Sequence, residues 1–164
     1  MDELIDNLVT FFMFSVIHTM LSFIYPPKWL NPRNRYFRDR RWEQKGNFYQ
    51  RIFRVKFWKD SLPELSDYIK KIFRKKHILT LEPEYLQLYI TETCRAELTH
   101  LCIIATAFLF HLWADFSVSM TVIYLSIILN TPFIIIQRYN RPRILKLLDR
   151  KHIFAGVKTE DLLF

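Results

Sequence analysis

Two polar strings interrupt the apolar second half of the chain: Glu92-Thr-Cys-Arg95-Ala-Glu97-Leu-Thr-His100 and Gln137-Arg138-Tyr-Asn140-Arg141-Pro-Arg143. On a helix that advances about 100° per residue, Glu92 and Arg95 lie about 60° apart, as do Glu97 and His100. Each pair therefore has the i,i+3 spacing at which side chains meet. A carboxylate beside an imidazole can hold its tautomer and raise its basicity, as a general base acting on a hydroxyl requires. The plainer alternative is a salt-bridged helix end whose histidine rests among lipid headgroups. Four polar groups around more than half the helix cannot all face lipid, because ionisable groups near hydrocarbon are costly. Both readings stand at this point.

The second string carries Arg138, Arg141 and Arg143 within six residues, with the amides of Gln137 and Asn140. Guanidiniums grip phosphate or pyrophosphate bidentately, which suits this cluster to an anion. Arginines alone could equally be a charge cluster that stops translocation. The added Gln137, Tyr139, Asn140 and Pro142 exceed what orientation needs, and Pro142 is expected to interrupt a regular helix there.

Other chemically suggestive residues are discounted. His77 and Glu82 have the spacing of the His-x4-acid motif of glycerolipid acyltransferases, but lack that family's other blocks. His18 sits near the middle of an apolar run, where a buried hydrogen-bonded histidine is the simpler reading. His111 and Asp115 lie far from the basic blocks. Cys94 and Cys102 form neither a CxxC pair nor a zinc-type cluster, so they read as small core residues and no metal site is expected.

The elements that must position these residues follow from charge. All 24 Lys and Arg fall in two blocks, Lys28–Arg95 and Arg138–Lys158, each after a long apolar run. Because cytosolic loops retain Lys and Arg, both blocks are expected on the cytosolic face, with the amino terminus outside. A hydrophobic fraction of 51% and an aromatic fraction of 16%, with two glycines, suit a helical membrane protein. The net charge of +8 is expected to meet anionic lipid and not nucleic acid, since no nucleic-acid module is recognisable.

The expected architecture is an all-α integral membrane protein of about three membrane helices, forming a single membrane domain over residues 1–164. Residues 1–25 form the first membrane helix. It starts Met-Asp-Glu without a basic n-region or cleavage site, so it reads as a retained span. Residues 26–96 form a basic interfacial segment that includes an amphipathic surface helix around Leu65–Lys76. Residues 97–136 form a membrane hairpin, spanning or re-entrant, with a turn at Asp115. Residues 137–164 form a cytosolic tail with a helix at Arg143–Phe154.

The strings Glu-x2-Arg-Ala-Glu-Leu-x-His (Glu92 to His100) and Asn-x-Pro-x4-Gln-Arg-Tyr-Asn-Arg-Pro-Arg (Asn130 to Arg143) carry a family likeness. With Glu43-x2-Gly46-x-Phe48 and Val55-x2-Trp58-Lys59, the chain resembles the CrtO family over about residues 30–146. These are the glycosyl-4,4′-diaponeurosporenoate acyltransferases, small bacterial membrane proteins. They esterify a sugar hydroxyl of a glycosylated C30 carotenoid acid with a fatty acyl chain, the last step of staphyloxanthin synthesis. The resemblance implies an integral membrane acyltransferase. The amino-terminal span and carboxyl tail depart from the family pattern.

On this reading, acyl transfer runs from a cytosolic thioester, acyl-CoA or similar, to a hydroxyl of a lipid-linked sugar, with no bound cofactor. His100, oriented by Glu97, takes the hydroxyl proton. Arg138, Arg141 and Arg143 hold the donor's phosphates, Asn140 or Gln137 donates to the oxyanion, and Arg95 with Glu92 fixes the helix end. The partners are membrane lipids, acceptor and donor; the oligomeric state is left open. Two alternatives compete with it. One is a transferase acting on a lipid-linked phosphate, and the other is a non-catalytic membrane subunit that binds anionic lipid or a partner.

Overall fold

The structure is a computed structural model and describes residues 2–63 and 78–155. Every regular element among the described residues is helical. The expected surface helix around Leu65–Lys76, and His77 of the discounted His-x4-acid spacing, lie outside them.

Among the described residues, three helices are long and apolar enough to cross a membrane, with candidate spans at Glu3–Ser22, Pro83–Leu112 and Phe116–Arg150. Helix α1 (Asp2–Ser22) stops four residues before Pro26. Its end tightens into three-residue turns, in which the amides of Phe23, Ile24 and Tyr25 donate to the carbonyls of Met20, Leu21 and Ser22. A short helix α2 (Asn47–Phe53) lies within the aromatic-basic stretch, flanked by single 3-10 turns. Helix α3 (Pro83–Ala107) starts on a proline, whose missing N–H costs nothing in a first turn. It passes into a 3-10 segment at Phe108–Leu112. Helix α4 (Phe116–Ala155) runs for 40 residues.

Helix α4 departs from expectation. Pro142 was expected to end regular helix, with a new one starting near Arg143, yet α4 continues through both Pro132 and Pro142. Proline removes one backbone hydrogen bond and crowds the carbonyl four residues earlier. Here burial supplies the compensation, since Tyr139, Asn140, Arg141, Ile144 and Leu148 are all buried around the second proline. At ~1.5 Å per residue α4 is ~60 Å long, about twice a hydrocarbon core.

The chain divides into two compact units, one made of Met1–Pro26 and Arg95–Ile134, the other of Pro27–Cys94 and Ile135–Phe164. In the first unit, α1 packs on the hairpin formed by the end of α3 and the start of α4. Its core comprises Phe11, Ile103, Ala107, Phe110, Val122 and Ile123. The Phe11 and Phe14 rings meet the Phe110 ring edge-on at 6.3 and 6.2 Å. Where the helices turn, the Trp113 indole donates to Asn7 Oδ1 at 3.0 Å, and the Asp115 amide donates to Glu3 Oε1 at 3.0 Å. Midway along, His18 Nε2 pairs with Thr106 Oγ1 at 2.7 Å. Phe12, Met13, Met20, Tyr124, Ile128 and Leu129 are exposed on the outer faces of this unit.

Among the described residues the second unit has two apolar clusters. One joins Tyr49 and Val55 to Ile135, Ile136 and Tyr139, with Phe48, Trp58 and Leu62 against it. The other joins Leu86, Tyr89 and Ile90 of α3 to Ile144 and Leu148 of α4. The aromatic residues between Trp42 and Phe53 stack edge-to-face on one another, so this stretch is a folded cap and not only a band of interfacial rings.

Candidate functional site

The polar residues singled out from sequence fall in both units. Arg95, Glu97 and His100 belong to the first; Glu92, Gln137, Arg138, Asn140, Arg141 and Arg143 belong to the second.

In the first unit, His100 Nδ1 lies 2.7 Å from Asn130 Oδ1, and its ring stacks on Phe133 at 4.7 Å and 10°. The amide of Asn130 has a fixed direction because Nδ2 donates to the Ser126 carbonyl, one turn earlier, at 2.8 Å. Oδ1 therefore faces the histidine and can only accept, so Nδ1 carries the proton. The lone pair of the neutral ring is then on Nε2, the arrangement a general base uses. Glu97, expected to orient His100, lies one turn before it on α3 and is buried to 1% exposure. The partner found at Nδ1 is Asn130, which opens the Asn130–Arg143 string but had no expected role in it. Its signal was an amide inside an otherwise apolar run. Arg95 Nη1 donates to the Ser22 carbonyl, tying α3 to the end of α1.

In the second unit the arginines are bound inward. Arg141 is 1% exposed. Its Nε donates to Thr93 Oγ1 at 3.0 Å, Nη2 to the Thr93 carbonyl at 3.0 Å and Nη1 to the Phe37 carbonyl at 3.1 Å. The guanidinium also covers the Phe37 ring at 5.0 Å. Arg138 donates to the Tyr36 carbonyl and lies 3.5 Å from Glu43 Oε1. Arg143 donates to Asn47 Oδ1 at 3.0 Å and covers the Tyr139 ring at 3.7 Å. Gln137 and Asn140 are buried; Gln137 Oε1 has no hydrogen-bond partner among the described residues.

Glu43 joins this group. It is buried, accepts from the Tyr49 hydroxyl at 2.5 Å on Oε1, and accepts from the Arg40 amide at 2.6 Å on Oε2. With Asp39 it is one of two carboxylates in the basic stretch 28–57, which was the signal that could have marked it. Glu43, Arg138, Asp39, Phe37, Arg141 and Pro142 line a cavity of about 10 Å³, together with Leu145. Burial pushes the Asp39 carboxyl above its ordinary range, with the charge of Glu43 adding to the rise. The Lys45 amide, 3.1 Å from Oδ2, and the Lys45 and Arg138 charges pull the other way.

Gly46 makes the arrangement possible. Its φ is +81°, and a Cβ there would lie 2.5 Å from Arg143 Nη1 and 2.8 Å from the Tyr139 carbonyl oxygen. Only a residue without a side chain lets α4 approach this turn so closely. Among the described residues no group of His, Cys, Asp and Glu could hold a metal ion, and Cys94 and Cys102 form no disulfide.

Fold and site together define a helical protein with three membrane-length helices, an oriented histidine between two of them, and a cap pinned by inward-facing arginines. The glycosyl-4,4′-diaponeurosporenoate acyltransferase (CrtO) family model matches residues 32–150. Similar proteins include the glycosyl-4,4′-diaponeurosporenoate acyltransferases of Staphylococcus aureus strains bovine RF122 / ET3-1, N315 and USA300. Each is 31% identical over 123 residues, covering 75% of this chain and 74% of the relative. This chain belongs to the CrtO family of acyltransferases. No solved structure matches it.

Proposed function

We propose that this protein transfers a fatty acyl chain from a thioester donor to a hydroxyl of a glycosylated lipid, with His100 as the general base. The observation that carries this reading is the fixed amide of Asn130, which holds the proton on His100 Nδ1 and the lone pair on Nε2. In the reaction, Nε2 takes the proton of the sugar hydroxyl as its oxygen attacks the thioester carbonyl. The C–S bond then breaks, the thiolate takes the proton from the imidazolium, and the new ester leaves. Phe133 holds the ring plane by stacking, and Asn130 acts as a positioning residue.

The acceptor class follows from the relatives, which are named for glycosyl-4,4′-diaponeurosporenoate; a glycosylated C30 carotenoid acid is the first acceptor to try. The outward apolar faces of the three long helices support placement in the membrane. The segregation of Lys and Arg supports a cytosolic site with the amino terminus outside. Arg141, Arg138 and Arg143 act in this reading as struts that hold the cap to α4, since their donors already serve protein acceptors.

The test is ester formation by purified protein in micelles, supplied with a long-chain acyl-CoA and the glycosylated carotenoid acid and read by mass spectrometry. The expected result is product with the parent chain and none with His100→Ala. Turnover retained by His100→Ala removes His100 from the mechanism, and label on another glycolipid moves the acceptor.

A further inference from the structure

Four other arginines differ from those of α4 in one respect. Arg35, Arg38, Arg40 and Arg41 are exposed and line a cleft of about 620 Å³, with the carboxyl of Asp39 among them. None of the four guanidiniums donates to a protein acceptor or pairs with a carboxylate among the described residues, whereas Arg138, Arg141 and Arg143 are all engaged. The charges are therefore available to a ligand.

The backbone beneath them is held firmly. The amides of Phe37 and Arg38 donate to the Asn34 carbonyl at 2.9 and 3.0 Å. Asp39 Oδ2 accepts from the Lys45 amide, Glu43 Oε2 accepts from the Arg40 amide, and the Phe37 side chain is buried under Arg141. Four forked donors on a rigid base, around a volume that fits a small-molecule ligand, suit an anion with several phosphate groups. Asp39 adds an acceptor for a ligand hydroxyl or amine beside those anions. A flat anionic surface would need neither the concavity nor the acceptor.

We propose that this cleft holds the phosphates of a nucleotide-thioester donor, in the manner of coenzyme A, which carries a diphosphate and a phosphate monoester. The proposal rests on the thioester reading of the donor given above. It moves the phosphate-binding role from Arg138, Arg141 and Arg143 to Arg35, Arg38, Arg40 and Arg41.

The experiment is calorimetric titration of coenzyme A, and separately of pantetheine, into the full chain in neutral detergent micelles at low salt. Parent, Arg38→Gln/Arg40→Gln and Arg35→Gln/Arg41→Gln proteins are compared, with matched thermal melts as the folding control. The expected result is coenzyme A binding that weakens tenfold or more in both variants, with no comparable effect on pantetheine. Unchanged coenzyme A affinity in both variants overturns the proposal. So does a loss confined to binding of phosphatidylglycerol vesicles, which would assign the cleft to lipid headgroups. Binding needs no turnover, so a chain that binds coenzyme A through the cleft but forms no ester would overturn the transfer reading alone.

Discussion

Arg141 holds Thr93 at two atoms, donating from Nε to its hydroxyl and from Nη2 to its carbonyl, each at 3.0 Å. One guanidinium thus fastens α4 to α3 while its third nitrogen reaches the Phe37 carbonyl. A lysine cannot reproduce this fork. Arg141→Lys is expected to leave buried acceptors unpaired, at about 1–3 kcal/mol each. A lowered Tm in micelles, larger than that of Arg138→Lys, checks it. Equal melting of the two variants would remove the strut role from Arg141.

Asn130 should affect rate without affecting binding. If it only sets the orientation and tautomer of His100, Asn130→Ala lowers kcat by about 10²-fold or less, within the ~10²–10⁴ that a base supplies. KM for both substrates stays near the parent value. Steady-state kinetics on purified protein separate the two constants, and a rise in KM at unchanged kcat would make Asn130 a substrate contact.

Gly46→Ala is expected to destabilise the cap by about 1–3 kcal/mol through its left-handed backbone alone, before the collision with Arg143 and Tyr139 is counted. Arg143→Ala in the same chain should recover part of the loss, because one of the two colliding atoms is gone. A double-mutant cycle on Tm reads the coupling; strict additivity would mean that the Cβ and the guanidinium do not meet.

Asp39 gives a pH dependence of definite sign. Its carboxyl is raised above the ordinary 3.8, chiefly by burial. The folded state therefore holds the proton more tightly than the unfolded chain. The stability this lends is fully present below pH 3.8 and is lost as pH rises through the folded value. Asp39→Asn should flatten that part of the profile. Melting curves of both proteins from pH 3 upward check it, and parallel profiles would show that Asp39 is not the group responsible.

The long apolar runs made the three membrane-length helices legible, because length and hydropathy alone identify them. Pro142 was misread because local chemistry says break, while the burial of Tyr139, Ile144 and Leu148 around it says continue. The arginines of α4 were legible as important but not as inward-facing, since residue type and spacing do not tell whether a guanidinium meets a phosphate or a carbonyl. The His100–Asn130 pair joins residues 30 apart across a hairpin and was visible only as two separate oddities. Glu43 was visible only as part of a family string, because a carboxylate amid many cations reads as charge balance until its burial is known.

The passage of α4 through Pro132 and Pro142 also has a mechanical side. Each proline withholds a donor from the carbonyl four residues back, at Ile128 and at Arg138, so the rod has two compliant joints ten residues apart. Bending concentrates at such joints. One lies just beside Asn130, and the other carries Arg138 itself. The first joint falls in the unit that holds His100 and the second in the unit that holds Arg141, so each compact unit carries one proline-weakened turn of its own.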